Sequence, residues 1–215
     1  MNATENKQAV LVWDFPVRVF HWLLVVSFAG AWLTSESEAQ QMLHYAFGYS
    51  AVALVVFRLV WGLVGTRYAR FSQFMKSPAE TIRHFKSLLS REKHPGLGHN
   101  PAGAWAMLTL MVLVLLIGIT GYLNVKEFYG DSMEEAHELL ANIILGVVAI
   151  HVFAAIVMGW WQKENLVLSM LTGKKQGDST DGINSSHYLI GIALLLAWAL
   201  CFYLIVSGAL PALTQ

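Results

Sequence analysis

The chain alternates five long apolar stretches with short polar connections, and the lengths of the stretches set the first expectation. A helix needs roughly 20 residues, at about 1.5 Å each, to cross a hydrocarbon core. Stretches of that size run from Phe15 to Leu33, His44 to Val64, Gly103 to Leu123, His137 to Trp161 and His187 to Leu210. The expected fold is an all-α integral membrane protein: a four-helix transmembrane bundle in residues 1–175, a polar linker at 176–186, and a fifth C-terminal transmembrane helix in 187–215. The stretch "WLLVVSFAGAWL" contains Ala29-Gly30-Ala31, a passable leader-cleavage pattern. It directly follows His21 and a long, weakly basic segment, so it is read as a span.

The connections have their own pattern. In "SPAETIRHFKSLLSREKHPGLGHNPAG", Ser77 suits an N-cap, Pro78 the first helical position, and Glu80 completes a capping box. Ile82, Phe85, Leu88 and Leu89 recur at helical spacing among Arg83, His84 and Lys86. These features predict a basic amphipathic helix near 77–90 on the membrane surface, stopping at the Pro/Gly cluster that holds His94 and His99. The segment "ENLVLSMLTGKK" predicts a second, short interfacial helix capped by Gly173.

Composition agrees with the membrane reading, with 56% hydrophobic and 13% charged residues. The net charge is zero, but the charges are unevenly placed. Arg67, Arg70, Lys76, Arg83, Lys86, Arg91 and Lys93 crowd the second connection, and Lys163, Lys174 and Lys175 the fourth. The first connection has no Lys or Arg, and the third has only Lys126 among Glu127, Asp131, Glu134 and Glu135. By the positive-inside rule the N-terminus and the basic connections are cytoplasmic and the C-terminus is periplasmic. Topology thus accounts for the basic segments, and no nucleic-acid motif accompanies them. Cys201, alone in the fifth span, rules out an intrachain disulfide, a CxxC metal pair and a CxxCH covalent haem site.

Candidate chemistry rests on histidines. His137 and His151 lie 14 residues apart in "HELLANIILGVVAIH", about 21 Å along a helix and within about 40° of one face. With the expected topology, His21 of the first span shares the inner depth with His151, and His44 of the second shares the outer depth with His137. Zinc or non-haem iron would call for three or four ligands, often with carboxylates, and neither layer offers intramembrane acids beyond the edge residue Glu138. Haem needs two axial ligands and presents a large apolar ring to an apolar bundle. Two non-covalent b haems are therefore expected, the inner iron between His21 and His151 and the outer between His44 and His137. Gly48, Gly146, Ala154 and Ala155 near these histidines would let a flat ring approach helix backbones. Arg58, 14 residues after His44, reaches the inner depth, where a haem propionate is a natural partner; Arg18 is a second candidate. Without haem, as in a transporter or scaffold, these residues would go unexplained. His187 repeats the His-x-x-x-Gly spacing of His44, but with no unpaired histidine opposite it reads as interfacial.

The ordered motifs "VWDFPVRVFHW", "HYAFGY", "FRLVWGLVG", "GHNPAGAW", "HELLANIILGVVAIH" and "ENLVLSMLTGKK" make residues 11 to 175 resemble the bacterial cytochrome b561 and nickel-iron hydrogenase b-type cytochrome family. The resemblance implies a four-helix core with two b haems, whose iron ligands map onto His21, His44, His137 and His151. It also implies a bacterial inner-membrane protein passing electrons between quinone, ubiquinone or menaquinone, and a periplasmic c-type cytochrome or hydrogenase. That is an electron-transfer subunit, or a quinone-linked oxidoreductase. The alternative within the resemblance is a superoxide:quinone oxidoreductase, which would need an electropositive approach to the outer haem. Lys126 amid acids suits a basic partner better than an anion. The fifth span departs from the simplest members.

Overall fold

The computed structural model describes residues 7–74, 97–98 and 101–213. The expected amphipathic helix near 77–90, with His84, and the neighbouring His94 and His99 lie outside these residues. The elements run β1 (Gln8–Leu11), α1 (Phe15–Leu33), α2 (Gln41–Val64), α3 (Phe71–Phe74), α4 (Pro101–Val125), α5 (Asp131–Gln162), α6 (Leu166–Thr172), β2 (Lys174–Gly177) and α7 (Tyr188–Val206), with short 3-10 turns between some of them. Five of the helices, α1, α2, α4, α5 and α7, are long and apolar enough to span a membrane. The chain is a multi-pass, all-α membrane protein, with one small two-stranded sheet among the described residues.

Local chemistry explains the helix ends. Asp14 caps α1, its Oδ1 accepting the Val17 N–H at 2.8 Å, with Pro16 in the first turn. α5 starts six residues before the apolar run, at Asp131, because Asp131 and Glu134 favour the positive end of the helix dipole. It ends on Lys163 in the left-handed region (φ 55°), with the Glu164 N–H returned to the Gly159 carbonyl at 3.0 Å. Gly173 caps α6 at φ 79°; a Cβ there would lie 2.6 Å from the Trp13 carbonyl, so only glycine fits.

α1 packs along α2, and α4 along α5, while α2 and α4 join the two pairs. Gly30 lets Phe47 lie against α1, and Gly118 does the same for Val52 on α4. Ala51, Val55, Met111, Val114 and Ile144 form a central apolar cluster. Ile144 lies midway between His137 and His151, so this cluster separates two levels of the bundle. α5 packs chiefly on α4 and only lightly on α6, and it meets α2 through Ile144 and His137. The fifth span, α7, lies against the outer side of α1 and α2, held by the Trp198 indole donating to the Ser27 hydroxyl at 2.9 Å and by Phe15–Tyr188 and Phe47–Phe202 ring contacts.

A feature outside the hydropathy pattern closes one end. β1 pairs antiparallel with β2, Gln8 opposite Gly177 and Leu11 opposite Lys174. Val12 and Trp13 N–H groups then donate to the Gly173 carbonyl, and Ile183 N–H to Leu11. This sheet, α6 and the Arg67–Arg70 turn make up a basic end, opposite an acidic end carrying Glu36, Glu38, Glu127 and Asp131.

Candidate functional site

The four intramembrane histidines divide between two levels. At the acidic end, His44 from α2 and His137 from α5 face one another with ring centres 6.1 Å apart and planes at 71°. Each ring is fixed from behind: His44 Nδ1 donates to the Ala31 carbonyl at 2.9 Å, and His137 Nδ1 to the Ile117 carbonyl at 3.0 Å. A carbonyl only accepts, so Nδ1 is the protonated nitrogen of each neutral ring and Nε2 keeps its lone pair. Histidines that ligate metals are held in this manner, with the other nitrogen bonded to a carbonyl. The Thr120 hydroxyl lies 3.3 Å from His137 Nδ1. Gly121 passes so close that a Cβ would stand 2.9 Å from the His137 ring.

At the basic end, His21 from α1 lies within electrostatic range of His151 from α5. Its Nδ1 is buried without a hydrogen-bond partner, and its ring meets Trp22 edge-on at 5.1 Å. Arg58 is buried here, 1% exposed. Its Nη2 donates to the Ala69 carbonyl at 2.9 Å and approaches Met107 Sδ at 3.7 Å, and its guanidinium lies over Phe71 at 5.1 Å. Nη1 has no partner. Arg58 therefore does not snorkel to the surface. Arg18 donates from Nη1 to the Leu171 carbonyl at 2.7 Å and lies over Phe15, while its Nε is buried without a partner. His187, at φ 50° before α7, packs edge-on against Trp61 at 5.5 Å and joins neither histidine level.

These residues meet three requirements of a haem-bearing bundle. First, an imidazole–metal bond of about 2 Å on each side of one ion sets the two ring centres about 6 Å apart, the spacing of His44 and His137. Second, a Cβ on Gly48, one turn after His44 on the same face, would meet no atom within 4 Å, so backbone lies open beside that histidine, whereas Gly146 is exposed on the far face of α5. Third, buried guanidinium N–H groups on Arg58 and Arg18 still require acceptors, which propionates offer. Among the described residues no three His, Cys, Asp or Glu side chains converge, so the donor sets are pairs.

Sequence reasoning missed the buried carboxylate beneath this end. Asp14, 1% exposed, accepts from Trp61 Nε1 at 3.0 Å and Thr66 Oγ1 at 2.6 Å besides capping α1, and it is the anionic neighbour of Arg58. The Asp-Phe-Pro triplet was a legible N-cap; its reach to α2 was not. Outside the spans, burial raises the Tyr68 phenol above its ordinary value, Arg67 opposes this and Asp181 adds to it. The Tyr68 hydroxyl donates to the Asp181 carbonyl at 2.8 Å.

A family model described as prokaryotic cytochrome b561 matches residues 12–173. The chain is 26% identical to a probable Ni/Fe-hydrogenase B-type cytochrome subunit of Rhizobium leguminosarum bv. viciae, over 79% of this chain and 90% of the relative. It is 24% identical to the same subunit of Bradyrhizobium diazoefficiens, over 80% and 87%. It is 23% identical to the probable Ni/Fe-hydrogenase 1 B-type cytochrome subunit of Escherichia coli (strain K12), over 79% and 92%. No solved structure matches the chain. The family match ends at Gly173, before β2 and α7.

Proposed function

Because the chain belongs to the prokaryotic cytochrome b561 family, membrane electron-transfer proteins that carry haem b, we propose that it holds two b haems and moves electrons between quinone and a redox partner such as a nickel-iron hydrogenase. His44 and His137 ligate the iron at the acidic end, and His21 and His151 the iron at the basic end. The single observation that carries this reading is the facing pair His44 and His137, 6.1 Å apart, with both Nδ1 protons committed to carbonyls.

Bound haem supplies one-electron exchange between ferric and ferrous iron. The chain supplies the rest. Carbonyls of Ala31 and Ile117 orient the acidic-end imidazoles and keep Nε2 unprotonated. Arg58 and Arg18 neutralise propionates at the basic end, and the apolar cluster around Ile144 keeps water from the space between the levels. By the positive-inside rule, Arg67, Arg70, Lys174 and Lys175 support a cytoplasmic basic end and a periplasmic acidic end. The names of the relatives support a hydrogenase as the partner there; the acidic surface would equally accept a basic c-type cytochrome. Acids at this end repel superoxide and disfavour the oxidoreductase alternative.

The test is the reduced-minus-oxidised visible spectrum and pyridine haemochrome count of detergent-purified protein. Wild type is expected to carry two b haems, and His44→Ala and His151→Ala about one each, with a bis-histidine spectrum remaining. One haem or none in the wild type made with ample haem overturns the reading.

A further inference from the structure

The end of α5 and the start of α6 line an open-sided cavity of about 860 Å³. Ala155, Gly159, Trp160 and Trp161 form one wall and Val167 another, with Glu164 and Lys163 at the turn between them. Ala155 follows His151 by one helical turn, about 6 Å along the axis and within about 40° of the same face. The cavity thus begins about one helical turn beyond His151 and runs to the basic end of the bundle, where Trp160 and Trp161 are exposed in the position of an aromatic belt.

The turn holds Glu164 in place. Gly159 is needed there, since a Cβ would stand 2.8 Å from the Glu164 carbonyl. Lys163 in the left-handed region reverses the chain, and the Glu164 carboxylate pairs with Lys175 of β2 at 3.2 Å. Lys175 is nearly buried, 7% exposed, whereas Glu164 keeps 27% exposure. The sheet therefore anchors one carboxylate between a mostly apolar cavity and water. Lys163 and Lys175 are the charged groups that accompany it.

We propose that this cavity is the quinone site, with Glu164 as its proton-exchange group. The inference rests on the quinone-linked electron transfer proposed above. Ligand sites of this size are mostly apolar with a few placed polar groups, and a quinone adds two demands. Its isoprenoid tail needs a lateral opening to lipid, and its oxygens need protons. Reduction takes two electrons, arriving singly from ferrous haem, which becomes ferric, and two protons, yielding the quinol. Glu164 passes a proton to a quinone oxygen, is reprotonated from water, and passes the second. Quinol oxidation runs the same route backwards.

The test uses the haem-loaded full chain in detergent, mixed in a stopped-flow instrument with decylubiquinol or menadiol, following the haem band. Val167→Trp fills the cavity, and it is expected to lower quinol-driven haem reduction at least tenfold while haem content and dithionite-reduced spectrum stay as in wild type. Glu164→Gln is expected to slow the reaction at least fivefold and Glu164→Asp to restore most of it. Wild-type rates in Val167→Trp and in Glu164→Gln overturn the site while the quinone reading stands. A wild type that neither quinol reduces overturns both.

Discussion

Replacing Asp14 tests whether the buried network at the basic end supports the histidine level above it. The carboxylate makes three short hydrogen bonds, to Val17 N–H, Trp61 Nε1–H and the Thr66 hydroxyl. Losing an N-cap costs about 1 kcal/mol, and each bond to a charged group about 1.5–3 kcal/mol. Asp14→Ala removes all three and strands a buried indole N–H, so the expected loss is about 4 kcal/mol, less than a full sum because neighbouring terms do not add. Asp14→Asn keeps the cap through Oδ1 but turns an amide N–H toward the Trp61 donor. Its expected loss is about 2 kcal/mol. Equilibrium unfolding in mixed micelles, read by far-UV circular dichroism, measures both. The two variants should also differ at the haem level, because Thr66 leads into Ala69, whose carbonyl holds Arg58. Asp14→Ala within about 1 kcal/mol of wild type, or Asn as damaging as Ala, would refute the reasoning.

Three further outcomes follow from other parts of the molecule. Gly121→Val pushes a branched side chain into the His137 ring, so the purified variant should keep its helical circular dichroism and carry about one haem; two retained haems would contradict the packing. A chain ended after Ser186 lacks α7, which packs on α1 and α2 alone among the bundle helices, and should still load both haems, as counted by pyridine haemochrome. Tyr68 holds its proton more tightly folded than unfolded, because burial disfavours the phenolate. Its contribution is therefore complete below the unfolded value near 10 and is lost as pH rises through the folded value. Tyr68→Phe should flatten the alkaline fall in melting temperature, and an unchanged slope would count against this.

Much of this protein is legible in the order of its residues. The five spans follow from apolar run length, since a bilayer demands helices that satisfy their own backbone. That His137 and His151 share a face follows from the 3.6-residue period, and the cap at Gly173 follows from local φ preferences. These are short-range properties, decided within one or two turns of the residues concerned.

Other features depend on residues that meet only in three dimensions. Strands of four residues, Gln8–Leu11 and Lys174–Gly177, carry no periodic signature and exist because their backbones pair across more than 160 residues of chain. Asp14 looks like a cap until Trp61 and Thr66 arrive from α2 and the turn beyond it. Arg58 could have extended to the surface, and its burial against Ala69, Phe71 and Met107 is decided by the turn folding back over it. Order along the chain thus sets which helices form and which face each histidine occupies. Tertiary packing alone decides which histidines meet, which polar atoms remain unpartnered and where Glu164 is held, because each depends on distances between segments far apart in the chain.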